Sequence, residues 1–372
     1  MIDIWILTLF VSIAVVSAML SLRLGITVAI IEIVLGMLVG NALGIKGSDH
    51  EWLVFLASLG SIVLTFLAGS EIDPDALRRT WKASLSIGLS SFIAPFIGSW
   101  AFALLVLGWT PEASLICGVA LSTTSVAVVY VVLVETGLGK TETGKIILSA
   151  CFITDLGTAM ALSLLFSAPN LYFLLLIGAL VICTLFLPKA MKWLFLRVRG
   201  STGEIEVKSL LLAVLLLGAI AESSGVHAVL PAYILGLLMA RLLDENREVL
   251  FKMKTVALAF LTPFFFISSG TNVSIAAVVS GIALVAALFL VKVGWKFVGV
   301  LPLAHKYIKG NAAYTTLLMS TGLTFGTISA QFGLSSGLIT TEQFSVLVMT
   351  VLLTAIIPTV IAQRYFSPNK GG

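Results

Sequence analysis

Thirteen apolar runs, most of them near twenty residues, follow one another from Ile4 to Ala362 with short polar connections. A bilayer core about 30 Å thick asks for about 20 such residues per helix. Water-soluble domains do not repeat this pattern, and only 11% of the residues are charged, about half the usual soluble share. Strict alternation of apolar and polar residues is absent, which argues against a membrane β-barrel. The expected fold is an all-α polytopic membrane protein with 13 transmembrane helices. The first run follows Asp3 instead of a basic segment, so it reads as a retained span and not a cleaved signal. Cys117, Cys151 and Cys183 all lie inside apolar runs without paired spacing and read as small hydrophobes.

Basic residues orient the runs. Connections after odd-numbered runs hold 20 of the 22 Lys and Arg residues, Lys296, Lys306 and Lys309 among them. Connections after even-numbered runs hold only Lys46, and Lys292 falls inside the eleventh run. The positive-inside rule then places the N-terminus outside and the C-terminus in the cytoplasm of a cell-membrane protein. The small net charge of +4 is explained by this bias and gives no sign of nucleic-acid binding.

The halves of the chain echo each other. Leu35-Gly36-Met37-Leu38 returns as Leu235-Gly236-Leu237-Leu238, and Phe66-Leu67-Ala68-Gly69-Ser70 as Phe266-Ile267-Ser268-Ser269-Gly270, both 200 residues on. Ser122-Thr123-Thr124-Ser125 in the fifth run likewise falls opposite Gly322-Leu323-Thr324-Phe325 in the twelfth. Six runs therefore mirror six others with the seventh between them, and an odd shift inverts the second copy in the membrane. Two inverted six-helix repeats are a transporter architecture, and interruptions at matching places in both halves point to its binding site.

Hydroxyl and glycine clusters inside a span let the backbone unwind, freeing carbonyls for a cation. The same residues also serve close helix packing, but here two such clusters occur at matched depth beside a carboxylate. That carboxylate is Asp155, in the middle of the sixth run after Thr154. A charge at that depth costs about 2.5–3.5 kcal/mol on insertion scales and usually marks an ion or proton path. Lys292 is the expected partner, as a fixed Asp–Lys pair, or as a charge that stabilises the broken-helix ends or competes for the carboxylate.

Ile31-Glu32-Ile33-Val34-Leu35-Gly36, Phe66-Leu67-Ala68-Gly69-Ser70-Glu71-Ile72-Asp73, Ala120-Leu121-Ser122-Thr123-Thr124-Ser125-Val126-Ala127, Thr154-Asp155, Pro263–Gly270 and Lys292 together resemble the monovalent cation:proton antiporter-2 family. These are the NapA- and KefC-like sodium or potassium/proton exchangers, and the resemblance runs over essentially the whole chain. It implies crossed, broken helices of the NhaA-like antiporter fold and a single transporter unit over residues 1–372. An ion-carrying core (83–168 and 273–362) would slide like an elevator against a dimerisation scaffold (1–82 and 207–272), with 169–206 as linker helix and cytoplasmic loop.

The resemblance assigns the ion and proton site to Asp155 and Thr154 with Thr123, Thr124 and Ser125, supported by the charge of Lys292 and, across the second break, by Gly322 and Thr324. Electrogenic relatives carry two adjacent aspartates; the neutral Thr154 here implies one proton for one cation. Glu71 and Glu32 rank lower: Glu71 as a solvated mouth or a cation-attracting entry, Glu32 as a structural scaffold residue. No cofactor is expected beyond the transported Na+ or K+ and H+. The expected partners are a second copy and membrane lipids. No Gly-rich phosphate motif follows a strand, so no nucleotide-binding domain is expected in this chain, in contrast to KefC-type potassium exchangers. A cation channel, the alternative of a different class, needs a continuous pore, whereas one titratable site in an inverted repeat favours alternating access. No histidine lies at depth to serve a hydrolase, and no enzyme activity is expected.

Overall fold

The computed structural model describes residues 2–24, 27–166, 173–198, 203–224, 226, 228–308 and 310–366. Parts of the expected linker (169–172 and 199–202), with Arg199, Lys309 and Lys370 among the basic residues counted above, lie outside them.

The chain is nearly all helical. Its helices are α1 (Ile2–Leu24), α2 (Val28–Leu43), α3 (Glu51–Ser70), α4 (Pro74–Arg79), α5 (Trp81–Ala101), α6 (Pro111–Ser122), α7 (Val126–Glu135), α8 (Glu142–Phe166) and α9 (Phe173–Val198). Then come α10 (Ile205–Ser223), α11 (Val229–Glu245), α12 (Arg247–Val256), α13 (Thr262–Thr271), α14 (Ile275–Ser280), α15 (Ile282–Tyr307), α16 (Ala312–Met319), α17 (Thr324–Ser335) and α18 (Thr341–Tyr365). A π-helical turn, Ala257–Leu261, carries α12 into α13 without a gap. Among the described residues, eight helices are long and apolar enough to cross a bilayer unaided.

Local chemistry sets several of the ends. Thr110 caps α6 by accepting the Ala113 amide, with Pro111 at the first helical position. Thr340 and Gln343 form a reciprocal capping box at the start of α18.

The helices divide into two compact units, Met1–Glu51 with Asp75–Thr158 and Phe266–Gly372, and Trp52–Pro74 with Ala159–Phe265. In the first, α5 packs along α15 and α6, α15 along α16 and α18, and α17 against α6 and α18. Ile87, Leu133, Ile147, Ala150, Val300 and Leu318 lie at the centre of one of its apolar clusters. In the second, α9, α10 and α11 pack together, and Val63, Phe66, Val214, Leu217, Leu243 and Met253 fill the interior.

Lipid tails are as apolar as leucine, so membrane helices gain little by hiding leucines and associate where small residues let backbones approach. Within the first unit Gly36 of α2 lies against the backbone of Ile267, and Gly270 against the carbonyl of Ile33. Within the second unit Gly236 of α11 lies against the carbonyl of Phe66, and Gly69 against that of Tyr233. A Cβ at any of the four would meet backbone, which cannot swing aside as a side chain does.

Gly236→Ala is therefore expected to destabilise the purified protein by about 1–3 kcal/mol, the usual cost of overpacking. Gly178→Ala is the control, since a Cβ there meets nothing within 4 Å and gains about 1 kcal/mol of helix propensity. Thermal melts in detergent should move the two variants in opposite directions.

Candidate ion-binding site

Two helices stop inside their apolar runs, where the hydroxyl and glycine clusters fall. Helix α6 ends at Ser122, Thr123 is extended, and α7 starts at Val126. Helix α16 ends at Met319, Leu323 is non-helical, and α17 starts at Thr324. The two breaks are tied to each other: the Thr124 hydroxyl donates to the Met319 carbonyl at 3.0 Å, and the Ser125 amide to Thr321 Oγ1 at 3.3 Å. Serine and threonine hydroxyls absorb other loose groups, as where Ser122 and Thr123 donate back to Val119 and Ala120.

The carbonyls left at the end of α6 carry the negative end of a helix dipole, which favours a cation. Lys296 of α15 supplies one. Its Nζ donates to the Ser122 carbonyl at 2.9 Å, to Thr124 Oγ1 at 3.0 Å and to Ser91 Oγ at 2.8 Å. The side chain is fully buried. This corrects the placement of Lys296 among the cytoplasmic connections: α15 runs on to Tyr307 and carries this lysine inside the packed unit.

Lys292 is also fully buried, one turn earlier on α15. It donates to Thr354 Oγ1 of α18 at 3.1 Å. Gly322 in the second break leaves room for it, since a Cβ there would run into Lys292 Nζ and Thr123 Oγ1.

Asp155 lies on α8, 3% exposed, and its Oδ1 is buried without a hydrogen-bond partner. Lys292 and Lys296 are the two buried lysines of the same unit. Among the described residues no ion pair within 4 Å joins Asp155 to either of them. The neighbouring Thr154 donates between Gly88 O at 3.1 Å and Ala150 O at 3.0 Å, which ties α8 to α5.

The remaining candidates are Thr324, Glu71 and Glu32. Thr324 opens α17 and is partly exposed. Glu71 pairs with Lys254 at 2.6 Å, both about a third exposed. Glu32 is 3% exposed on α2, on the face that meets α13 through Gly36. Sequence reasoning missed Lys296 and Ser91. Lys292 and Lys296 stand four residues apart in an otherwise apolar helix, so both fall on one face, a signal present in the sequence.

A multi-spanning helical chain with two interrupted helices joined beside a buried carboxylate is a secondary-transporter architecture. Residues 8–366 match the family described as "Sodium/hydrogen exchanger, transmembrane". The chain belongs to that family. It is 28% identical to the probable Na+/H+ antiporter 3 of Methanocaldococcus jannaschii over 351 residues, 89% of each chain. It is 27% identical to the Na+/H+-K+ antiporter GerN of Bacillus cereus over 368 residues, 94% of this chain and 93% of GerN. The fold matches the solved sodium proton antiporter MjNhaP1 of M. jannaschii, with a TM-score of 0.74 over 99% of both chains at 16% identity.

Replacing Lys296 by Met removes three charged hydrogen bonds and replacing Lys292 by Met removes one. At about 1.5–3 kcal/mol for each such bond, Lys296→Met should lower the melting temperature clearly more than Lys292→Met. An equal or reversed order would show that Lys296 does not hold the first break.

Proposed function

We propose that the chain is a secondary antiporter that exchanges a monovalent cation, Na+ or K+, for a proton at Asp155. The observation that carries this reading is a buried carboxylate with an unpartnered oxygen in the unit that holds two joined helix breaks. A carboxylate oxygen in such a place has two natural occupants, a proton or a small hard cation. Na+ and K+ are both hard ions, and the freed carbonyls and hydroxyls around the breaks are ligands of the kind they prefer. The relatives support the reading, since their names describe sodium/proton and sodium/proton-potassium exchange.

Lys296 gives the exchange its shape. When Asp155 is empty, the ammonium is the nearest compensation for its charge; when a cation or proton arrives, that role passes to the newcomer. With a single carboxylate at the site and the neutral Thr154 beside it, one proton is exchanged for one cation, which makes transport electroneutral. Thr123, Thr124 and Ser125 supply oxygens from the first break and Gly322 and Thr324 flank the second, while Lys292 lies beside Gly322 and is held by Thr354 of α18. Glu71 and Glu32 remain outside the exchange, Glu71 at an entrance held by Lys254.

Alternating access follows from an inverted repeat. The doubled glycine contacts support that repeat, for Gly36 and Gly236, and Ile33 and Tyr233, occupy matching places 200 residues apart. In this proposal the core segments, 83–168 and 273–362, carry Asp155 across as a body. The scaffold segments, 1–82 and 207–272, stay fixed in a homodimer. The orientation, N-terminus outside and C-terminus cytoplasmic, rests on the bias of basic residues.

In liposomes with an internal pH dye, sodium or potassium added outside should drive protons across with the wild-type chain. Asp155→Asn should lower the rate to the protein-free leak, because the amide neither ionises nor changes volume much. Clamping the voltage should leave the wild-type rate unchanged. Exchange persisting in the asparagine variant would remove Asp155 from the mechanism, and a voltage-dependent rate would remove the one-for-one count.

A further inference from the structure

The groups around the carboxylate are not all oxygens and nitrogens. One turn before Asp155 on α8, Cys151 is fully buried, and its Sγ lies 3.6 Å from the Sδ of Met319. Residues four apart on a helix share a face, with Cβ atoms about 5–6 Å from each other. Cys151 and Asp155 are therefore neighbours on α8. Met319 is the last residue of α16. Its carbonyl takes the Thr124 hydroxyl, and Thr124 in turn takes Lys296. The two sulfurs thus end a chain of contacts that runs from Lys296 through Thr124 and Met319 to Cys151, one turn from Asp155.

Hard cations have no use for that sulfur pair. Thiolate and thioether ligands select soft ions, Cu(I) foremost among the biological ones, and Ag(I) shares its softness and charge. We propose that Cys151 Sγ and Met319 Sδ, with the unpartnered oxygen of Asp155, form a site for a soft monovalent cation, Ag+ or Cu+. This inference rests on the reading that monovalent cations reach Asp155. A soft ion admitted by that route would be held by the sulfurs and would block the exchange of hard ions.

The binding step balances. The S–H bond of Cys151 breaks, an S–Ag bond forms, and the proton leaves to water. Met319 donates a sulfur lone pair and stays neutral. One positive charge enters as one leaves, so the buried site keeps its total charge, as in the exchange of sodium for a proton.

The test uses the full chain with Cys117→Ser and Cys183→Ser as background, which removes the two other thiols. Silver nitrate is added in chloride-free buffer. X-ray absorption at the silver edge should count two sulfur neighbours for one bound ion. Cys151→Ser should weaken silver binding more than about 100-fold, beyond the 10–100-fold typical of losing an outer partner of a metal site. Met319→Leu, of nearly the same volume, should weaken it by about tenfold and reduce the sulfur count to one, which keeps the test decisive if the serine variant does not fold. Rising sodium should compete with silver. Unchanged binding in Cys151→Ser, a sulfur count of one in the background protein, or indifference to sodium would each overturn the proposal. Intact sodium/proton exchange in the background protein alongside such a result would sink the silver site alone; exchange surviving Asp155→Asn would sink the parent reading instead.

Discussion

The arrangement depends on one ammonium group. Interrupting a helix in the membrane interior releases backbone groups that water does not reach, each costing several kcal/mol if left alone. At the end of α6 that cost is met by Lys296, whose three donors go to one carbonyl and two hydroxyls. The same cation is itself costly to bury, and it is tolerated because those three oxygens accept its hydrogen bonds. The break and the lysine stabilise each other, and neither is plausible without the other. Once both exist, a carboxylate nearby has a compensating charge without being locked to it by a short ion pair, the condition a group needs in order to trade occupants.

The rest of the chain supplies rigidity around that point. Thr154 fastens α8 to α5 by sharing its proton between two carbonyls, and Thr124 and Thr321 pin the two breaks to each other. Lys292, with Thr354 and the space that Gly322 leaves, attends to the second break. Away from the site, helices approach through glycine against backbone carbonyl, in pairs that recur in both compact units. Close backbone packing of this kind leaves each such pair little room to slide.

Much of this was legible in the sequence because membranes make the rules strict. Apolar runs of bilayer length have to become helices, and Ser122–Ser125 and Gly322–Phe325 stood out as the places where helices should break. Asp155 was legible because a charge at that depth needs a reason. Lys296 was passed over, although its spacing from Lys292 was visible, because a basic residue near the end of an apolar run looks like any interfacial lysine. Its burial depends on α15 continuing to Tyr307, a boundary that hydropathy leaves vague. The partner of Lys292 was illegible for a related reason: Thr354 is one of many threonines in the spans, and only packing selects it. Likewise the role of Thr154 as a tie between α8 and α5 depends on where Gly88 lies, which no pattern along the chain reveals.

The account's central claim is that one carboxylate is shared by turns between a proton and a metal cation. Counting protons tests it most directly. Purified protein in weakly buffered detergent solution is titrated with sodium or potassium chloride while a pH electrode follows release, and a parallel isotope measurement follows binding. The account predicts close to one proton released for each cation bound, at a pH where Asp155 starts protonated. Cations that bind with no proton leaving the protein would contradict it.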